Sequence, residues 1–199
     1  MSARSIPNLL GVLRLILSPV LFAVILLGTI AGYGWACTLL LFMAFSDLAD
    51  GKIARRLNAV SPLGVFLDTT SDKIFVAATL LPLIERSLLP AWVAGVIIVR
   101  DFAVSGLRSY ASAEGHIIPS GRWGKQKLVI TVVALIWRLV AAMIELWPAA
   151  PDLLHTFGGL WVVAIGLCVL WTIASGIEYF VGAWPMLRGD LTPRAAPHE

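Results

Sequence analysis

The chain has 199 residues and twelve acidic ones, and four of these, Asp47, Asp50, Asp68 and Asp72, fall within one 26-residue window. The window reads Asp47-Leu48-Ala49-Asp50-Gly51-Lys52-Ile53-Ala54-Arg55 and continues through Gly64, Asp68 and Asp72. Asp47 and Asp50 are spaced i,i+3, and Asp68 and Asp72 are spaced i,i+4. On a helix both spacings put two carboxylates on one face, with Cβ atoms about 5–6 Å apart. Gly64 lies one turn before Asp68 on that face, where a missing side chain lets another group come close. The expected arrangement is two helix faces turned toward each other, joined by the link from Arg55 to Pro62.

Like charges this close repel, and a carboxylate among apolar runs costs about 2.5–3.5 kcal/mol at a bilayer centre. Loop solvation or helix capping accounts for one such residue and poorly for four. Arg55 and Lys73 can offset part of the charge, so an ion-pair network is the competing reading. Clustered oxygen ligands suit hard divalent cations better, Mg²⁺ or Mn²⁺. Two such ions would clamp the oxygens of an in-line displacement at phosphorus.

A second charged set follows: Arg100, Asp101 and Arg108, then Arg122, Lys125 and Lys127. A general bias of cations toward the cytoplasmic side covers Arg122 and Lys127. It does not cover Arg100, which lies about one helical turn deeper than a loop residue should. Arg100, Val104 and Arg108 recur at i, i+4 and i+8, so both arginines can share a side. Cations beside a carboxylate-metal site suit an anionic group, most simply a phosphate. Together the two sets point to phosphoryl-group chemistry on a lipid headgroup. The residues by themselves fix neither donor nor acceptor.

The elements that must position these groups are membrane helices. The chain is 59% hydrophobic and 14% charged, with a mean hydropathy of +0.88, whereas soluble domains carry about 25% charged residues. The fold class is all-α and integral to the membrane. Six spanning helices are expected, from about Pro7 to Ile30, Trp35 to Arg56, Ser61 or Pro62 to Glu85, Pro90 to Ala111, Gly124 to Leu146 and Leu153 to Trp184. Gly28, Gly32 and Gly34 read as the first turn, and Pro19 as a kink. Residues 1–186 form one six-helix transmembrane catalytic domain, and residues 187–199 a short polar cytoplasmic tail. The first apolar run is too long for a signal peptide and no cleavage pattern follows it. Lys and Arg gather in alternate links, which places both termini and the aspartate window on the cytoplasmic side.

The same composition excludes other classes. A net charge of +3 is too small and scattered for nucleic-acid binding. Cys37 and Cys168 lie in apolar runs and read as core packers, and His116, His155 and His198 have no zinc-ligand spacing with them. Trp35, Trp92, Trp147 and Trp184 lie near helix ends as interfacial anchors. Arg138 and Glu145 are expected to face each other, Glu178 to be ion-paired or interfacial, and Arg14 to snorkel or reach an anionic group. A cation channel or transporter using intramembrane aspartates is the remote alternative.

One resemblance is specific. The pattern Asp47-x2-Asp50-Gly51-x2-Ala54-Arg55-x8-Gly64-x3-Asp68-x3-Asp72 resembles the signature of the CDP-alcohol phosphatidyltransferase family at every fixed position. The opening Ile6-Pro7-Asn8-Leu9-Leu10, the run Ala54-Arg55-Arg56-Leu57-Asn58, and Gly124-Lys125 with Lys127 resemble the members that use glycerol 3-phosphate. Asp101, Leu128 and Thr69-Thr70-Ser71 depart from the residues usual there, which bears on the acceptor and not on the reaction type.

The resemblance implies transfer of a phosphatidyl group from CDP-diacylglycerol to glycerol 3-phosphate, releasing CMP. It implies two Mg²⁺ or Mn²⁺ ions held by Asp47, Asp50, Asp68 and Asp72, with Asp72 also taking the acceptor's proton. Gly51, Ala54, Arg55 and Gly64 would line the CDP site, and Arg100, Arg108, Lys125 and Lys127 would hold the acceptor phosphate. It further implies a homodimer in the cell membrane with its site at the cytoplasmic face. Inositol phosphate, serine or phosphatidylglycerol stands as the alternative acceptor.

Overall fold

In a computed structural model of the protein, residues 5–56, 62–114 and 122–188 are described, without the side chains of 5–8, 48–56, 62, 63, 65, 68, 122 and 125. The described residues form seven α-helices and no strand: α1 Ser5–Leu26, α2 Ile30–Arg56, α3 Pro62–Glu85, α4 Ala91–Ala113, α5 Arg122–Glu145, α6 Asp152–Gly159 and α7 Trp161–Leu187. α6 and α7 meet at Leu160, whose φ of −65° and ψ of −5° are close to helical. The last expected helix is therefore one rod interrupted near its start. Gly158 lies against α5, where a Cβ would meet Ile144 Cδ1 at 3.4 Å.

Four segments of the described residues are long and apolar enough to cross a membrane: Leu9–Leu26, Ile30–Asp47, Gln126–Glu145 and Asp152–Leu187. α3 and α4 fall short of that measure, since α3 carries Asp68, Asp72 and Lys73 and α4 carries Arg100, Asp101 and Arg108.

α2 starts five residues before the expected Trp35. Thr29 supplies the signal: its Oγ1 accepts the Gly32 N–H at 3.0 Å, which satisfies one of the donors left open at a helix start. Gly28 alone makes the turn, at φ +63°. Gly32 belongs to the helix, and a Cβ there would come within 2.6 Å of the Val24 carbonyl oxygen. α1 runs through Pro19 as a single helix.

α1 packs chiefly on α3 and α2, α5 on α7 and α2, and α4 on α7 and α3. Leu21, Ile25, Leu40, Met43, Phe75, Leu80, Ile97 and Leu135 are buried at the centre with Cys168, and Cys37 packs against them. Large apolar side chains such as Leu153, Val99, Leu170 and Val181 cover the outside. An apolar exterior of this extent suits lipid and not water. Trp35, Trp92, Trp147 and Trp184 are all exposed near rod ends.

Two contacts set the relation of the rods. Gly11 brings α1 close to α3, where a Cβ would meet Leu67 Cβ at 3.1 Å. Where lipid is as apolar as the core, such small-residue approaches are what packing uses. On the side away from the aspartates, Arg138 joins α5 to the turn between α3 and α4. Its Nε donates to the Leu88 carbonyl at 2.6 Å, and its two Nη atoms donate to Glu145 at 3.1 and 3.3 Å. Its guanidinium also lies 4.5 Å from the Trp161 ring. The expected Arg138–Glu145 pair is present.

Candidate active site

One turn after Gly11, Arg14 enters the interior with a side chain only 1% exposed. Its Nη1 donates to Asp72 Oδ1 at 2.8 Å and also to Asp47 Oδ1. Asp47 comes from α2 and Asp72 from α3, so two helices aim carboxylates at one cation supplied by a third. Of the two fates expected for Arg14, it takes the anionic partner and does not snorkel. The facing of α2 and α3 is seen directly for Asp47 and Asp72. Asp50, Gly51, Ala54 and Arg55 fall in the last turns of α2 and Asp68 in α3, and their side chains lie outside the described residues. Gly64 sits half-buried in the first turn of α3.

Among the described residues no group of three acidic, His or Cys side chains surrounds a metal position; only two of the four aspartates are described in full. The donor chemistry nevertheless fits a divalent ion. Carboxylate oxygens from two rods already converge on a positive charge, and hard cations prefer such oxygens.

Beside Asp72 a cavity of about 200 Å³ opens between α3, α4, α5 and α7. Asp72, Lys73 and Thr69 line it from α3, and Arg100, Asp101, Ser105 and Arg108 from α4. Gly124 and Lys127 line it from α5, and Tyr179 from α7. Asp72 thus shares one cavity with three of the four cations expected to hold a phosphate. The fourth, Lys125, has its side chain outside the described residues. Four cations (Lys73, Arg100, Arg108, Lys127) face two carboxylates (Asp72, Asp101), so the walls are net positive and suit an anion.

Asp101 organises this set. Lys127 Nζ donates to its Oδ2 at 2.6 Å and Arg100 Nη1 to its Oδ1 at 3.2 Å. Lys127 is almost fully buried, so Asp101 supplies the charge partner that a buried ammonium requires. Arg100 keeps its Nε and Nη2 buried without a hydrogen bond, which leaves donors available for a ligand. The ring of Tyr179 lies 5.6 Å from the Arg100 guanidinium. Gly176 makes room for Arg100, since a Cβ there would meet Arg100 Cγ at 3.2 Å. The sequence marked neither Asp101 as an organiser nor Tyr179 as a wall. The adjacency of Asp101 to Arg100 was the one available signal for the first. Glu178 makes no ion pair among the described residues, and its Oε2 is buried without a partner.

A sequence profile of the CDP-alcohol phosphatidyltransferases matches residues 4–174. The chain belongs to the CDP-alcohol phosphatidyltransferase family. Among curated relatives, the CDP-diacylglycerol–glycerol-3-phosphate 3-phosphatidyltransferase of Bacillus subtilis is 33% identical over 92% of this chain and 97% of its own. A protein of the same name from Pseudomonas fluorescens is 33% identical over 94% of this chain and 93% of its own. The cardiolipin synthase (CMP-forming) of Streptomyces coelicolor is 29% identical over 94% of this chain and 86% of its own. The family match takes in the aspartate window, α4 and α5, and ends five residues before Tyr179.

Proposed function

We propose that the protein transfers the phosphatidyl group of CDP-diacylglycerol to glycerol 3-phosphate, giving phosphatidylglycerophosphate and CMP. The observation that carries this reading is the shared cavity. A carboxylate that can take a hydroxyl proton, Asp72, stands in one space with Arg100, Arg108 and Lys127, which can hold a phosphate. An acceptor that carries both a hydroxyl and a phosphate matches both. The names of the two 33% identical relatives support the same choice.

In the reaction the acceptor's primary hydroxyl attacks the phosphorus that bears diacylglycerol, and the bond from that phosphorus to the CMP oxygen breaks. The hydroxyl proton passes to Asp72, and CMP leaves with the electron pair. Arg100, Lys127, Arg108 and Lys125 hold the acceptor phosphate by charge-assisted hydrogen bonds. This fixes the hydroxyl within reach of the phosphorus, a positioning term that can remove several kcal/mol from a barrier. Gly51, Ala54, Arg55 and Gly64 would line the CDP site, with Arg55 offsetting charge on the departing CMP. Asp47, Asp50, Asp68 and Asp72 would hold two divalent ions, Mg²⁺ or Mn²⁺. When bound, those ions neutralise the diphosphate and the charge that develops on CMP.

The reading includes six membrane-spanning rods, with α3 and α4 carried across by their packing on α1 and α7. The aspartates and both termini then lie at the cytoplasmic face of the cell membrane, in a homodimer. The 29% identical relative named as a cardiolipin synthase favours one second reading, in which phosphatidylglycerol is the acceptor. Purified protein given CDP-diacylglycerol and Mg²⁺ with one acceptor at a time separates the two. Phosphatidylglycerophosphate and CMP from glycerol 3-phosphate are expected. Cardiolipin from phosphatidylglycerol, without turnover of glycerol 3-phosphate, would overturn the assignment.

A further inference from the structure

Tyr179 is 6% exposed, yet its hydroxyl makes no hydrogen bond among the described residues. The ring is enclosed, but the hydroxyl oxygen is not sealed off as the open donors of Arg100 are, so it is free to meet a ligand. Tyr179 lines the cavity that holds Arg100, Lys127 and Asp72. Its ring takes the space left by Gly124. A Cβ at position 124 would meet Tyr179 Cε2 at 2.7 Å and the hydroxyl oxygen at 3.2 Å. The same ring lies 5.6 Å from the Arg100 guanidinium, whose Nε and Nη2 are themselves buried without partners. Gly176, one turn before Tyr179, clears the path of Arg100. Two glycines on different rods thus admit one tyrosine and one arginine to the same wall, and both side chains retain unused donors.

We propose that Tyr179 is an acceptor-binding residue, whose hydroxyl donates to the acceptor phosphate beside Arg100 and Lys127 while its ring holds the Arg100 guanidinium in place. A phosphate monoester offers three terminal oxygens, enough to take the phenol and the open guanidinium donors together. The hydroxyl is a neutral donor among cations, so it adds a directed hydrogen bond without adding repulsion between like charges. The proposal rests on the reading that the acceptor carries a phosphate, and it assigns a binding role to the last rod, beyond the end of the family match.

The test uses the full chain in detergent with Mg²⁺, comparing the unaltered protein with Tyr179→Phe and Gly124→Ala. Each substrate is varied at saturating levels of the other, and thermal melting is recorded. Tyr179→Phe keeps the ring and removes one hydrogen bond to a charged group, so KM for glycerol 3-phosphate should rise about tenfold. KM for CDP-diacylglycerol and the melting temperature should stay as they were. Gly124→Ala should raise the same KM by displacing the ring, and the double variant should show less than the product of the two effects. If the unaltered protein makes phosphatidylglycerophosphate and Tyr179→Phe leaves its KM for glycerol 3-phosphate unchanged, the proposal is overturned while the functional reading stands. Equal shifts in both KM values with a lowered melting temperature would also overturn it, as the mark of a structural tyrosine. No turnover of glycerol 3-phosphate by the unaltered protein would remove the functional reading and this proposal with it.

Discussion

Arg14 Nη1 stands 2.8 Å from Asp72 Oδ1 and bonds Asp47 as well, so one buried guanidinium ties α1 to both α2 and α3. The carboxylates most closely tied to the chemistry are already gathered around a cation that the chain itself supplies. A bound divalent ion would take over part of that counter-charge. Replacing Arg14 by Met should therefore destabilise the protein by about 3–5 kcal/mol, the usual cost of breaking a buried ion pair. The loss should be larger in chelator than in saturating Mg²⁺. Thermal melts of the variant under the two conditions check this, and an identical loss in both would separate Arg14 from the metal.

Asp72 is expected to be indispensable to turnover and dispensable to folding. Its side chain is one-third exposed toward the cavity, and Asn keeps its shape. Asp72→Asn should lower CMP release by at least about a hundredfold, the low end of what a positioned proton acceptor contributes. The melting temperature should change little. Near-normal CMP release from the folded variant would remove Asp72 from the mechanism.

Asp101 should act on acceptor binding through Lys127 and Arg100. Asp101→Ala leaves a buried ammonium without its carboxylate, at a cost of about 1.5–3 kcal/mol. KM for glycerol 3-phosphate should rise about tenfold at the lower end of that range, and Asp101→Glu should restore most of the loss. Kinetics with each substrate varied in turn provide the measurement. An unchanged acceptor KM in Asp101→Ala would show that Lys127 and Arg100 hold their places unaided.

Arg138 provides the contrasting case at the far end of the rods. Arg138→Met strands the Leu88 carbonyl and Glu145 and removes the stacking on Trp161. Glu145 is half exposed, so the main loss is the buried hydrogen bond from Arg138 to the Leu88 carbonyl, and stability should fall by about 1.5–3 kcal/mol, while both KM values of the surviving folded enzyme remain as before. A selective change in acceptor KM would tie this end of the molecule to the site.

Much of the molecule was legible in the chain because its two strongest signals are local. Apolar runs longer than a bilayer needs marked the rods, and the i,i+3 and i,i+4 aspartates marked faces that meet at Asp47 and Asp72. The errors were also local. Gly32 and Gly34 looked like turn residues, whereas Thr29 caps a helix that contains them. Gly158-Gly159 sits inside an apolar run with no polar turn residue beside it, although it marks where α6 gives way to α7. What could not be read was tertiary. A lone arginine in an apolar helix, such as Arg14, has several possible partners until the rods are packed. Tyr179 carries no local mark at all; its position follows only from Gly124 and Gly176 on two different helices.

The packing of α4 on α7 has a consequence for biogenesis. The fourth helix begins at Ala91 and the one that covers it at Trp161, so α4 leaves the ribosome some seventy residues earlier. Until Gly176 and Tyr179 emerge, the guanidinium of Arg100 must find water, lipid headgroups or the insertion machinery for company. A nascent chain stopped short of α7 should stay accessible at Arg100 to hydrophilic labelling reagents, and translation of the final helix should close that access.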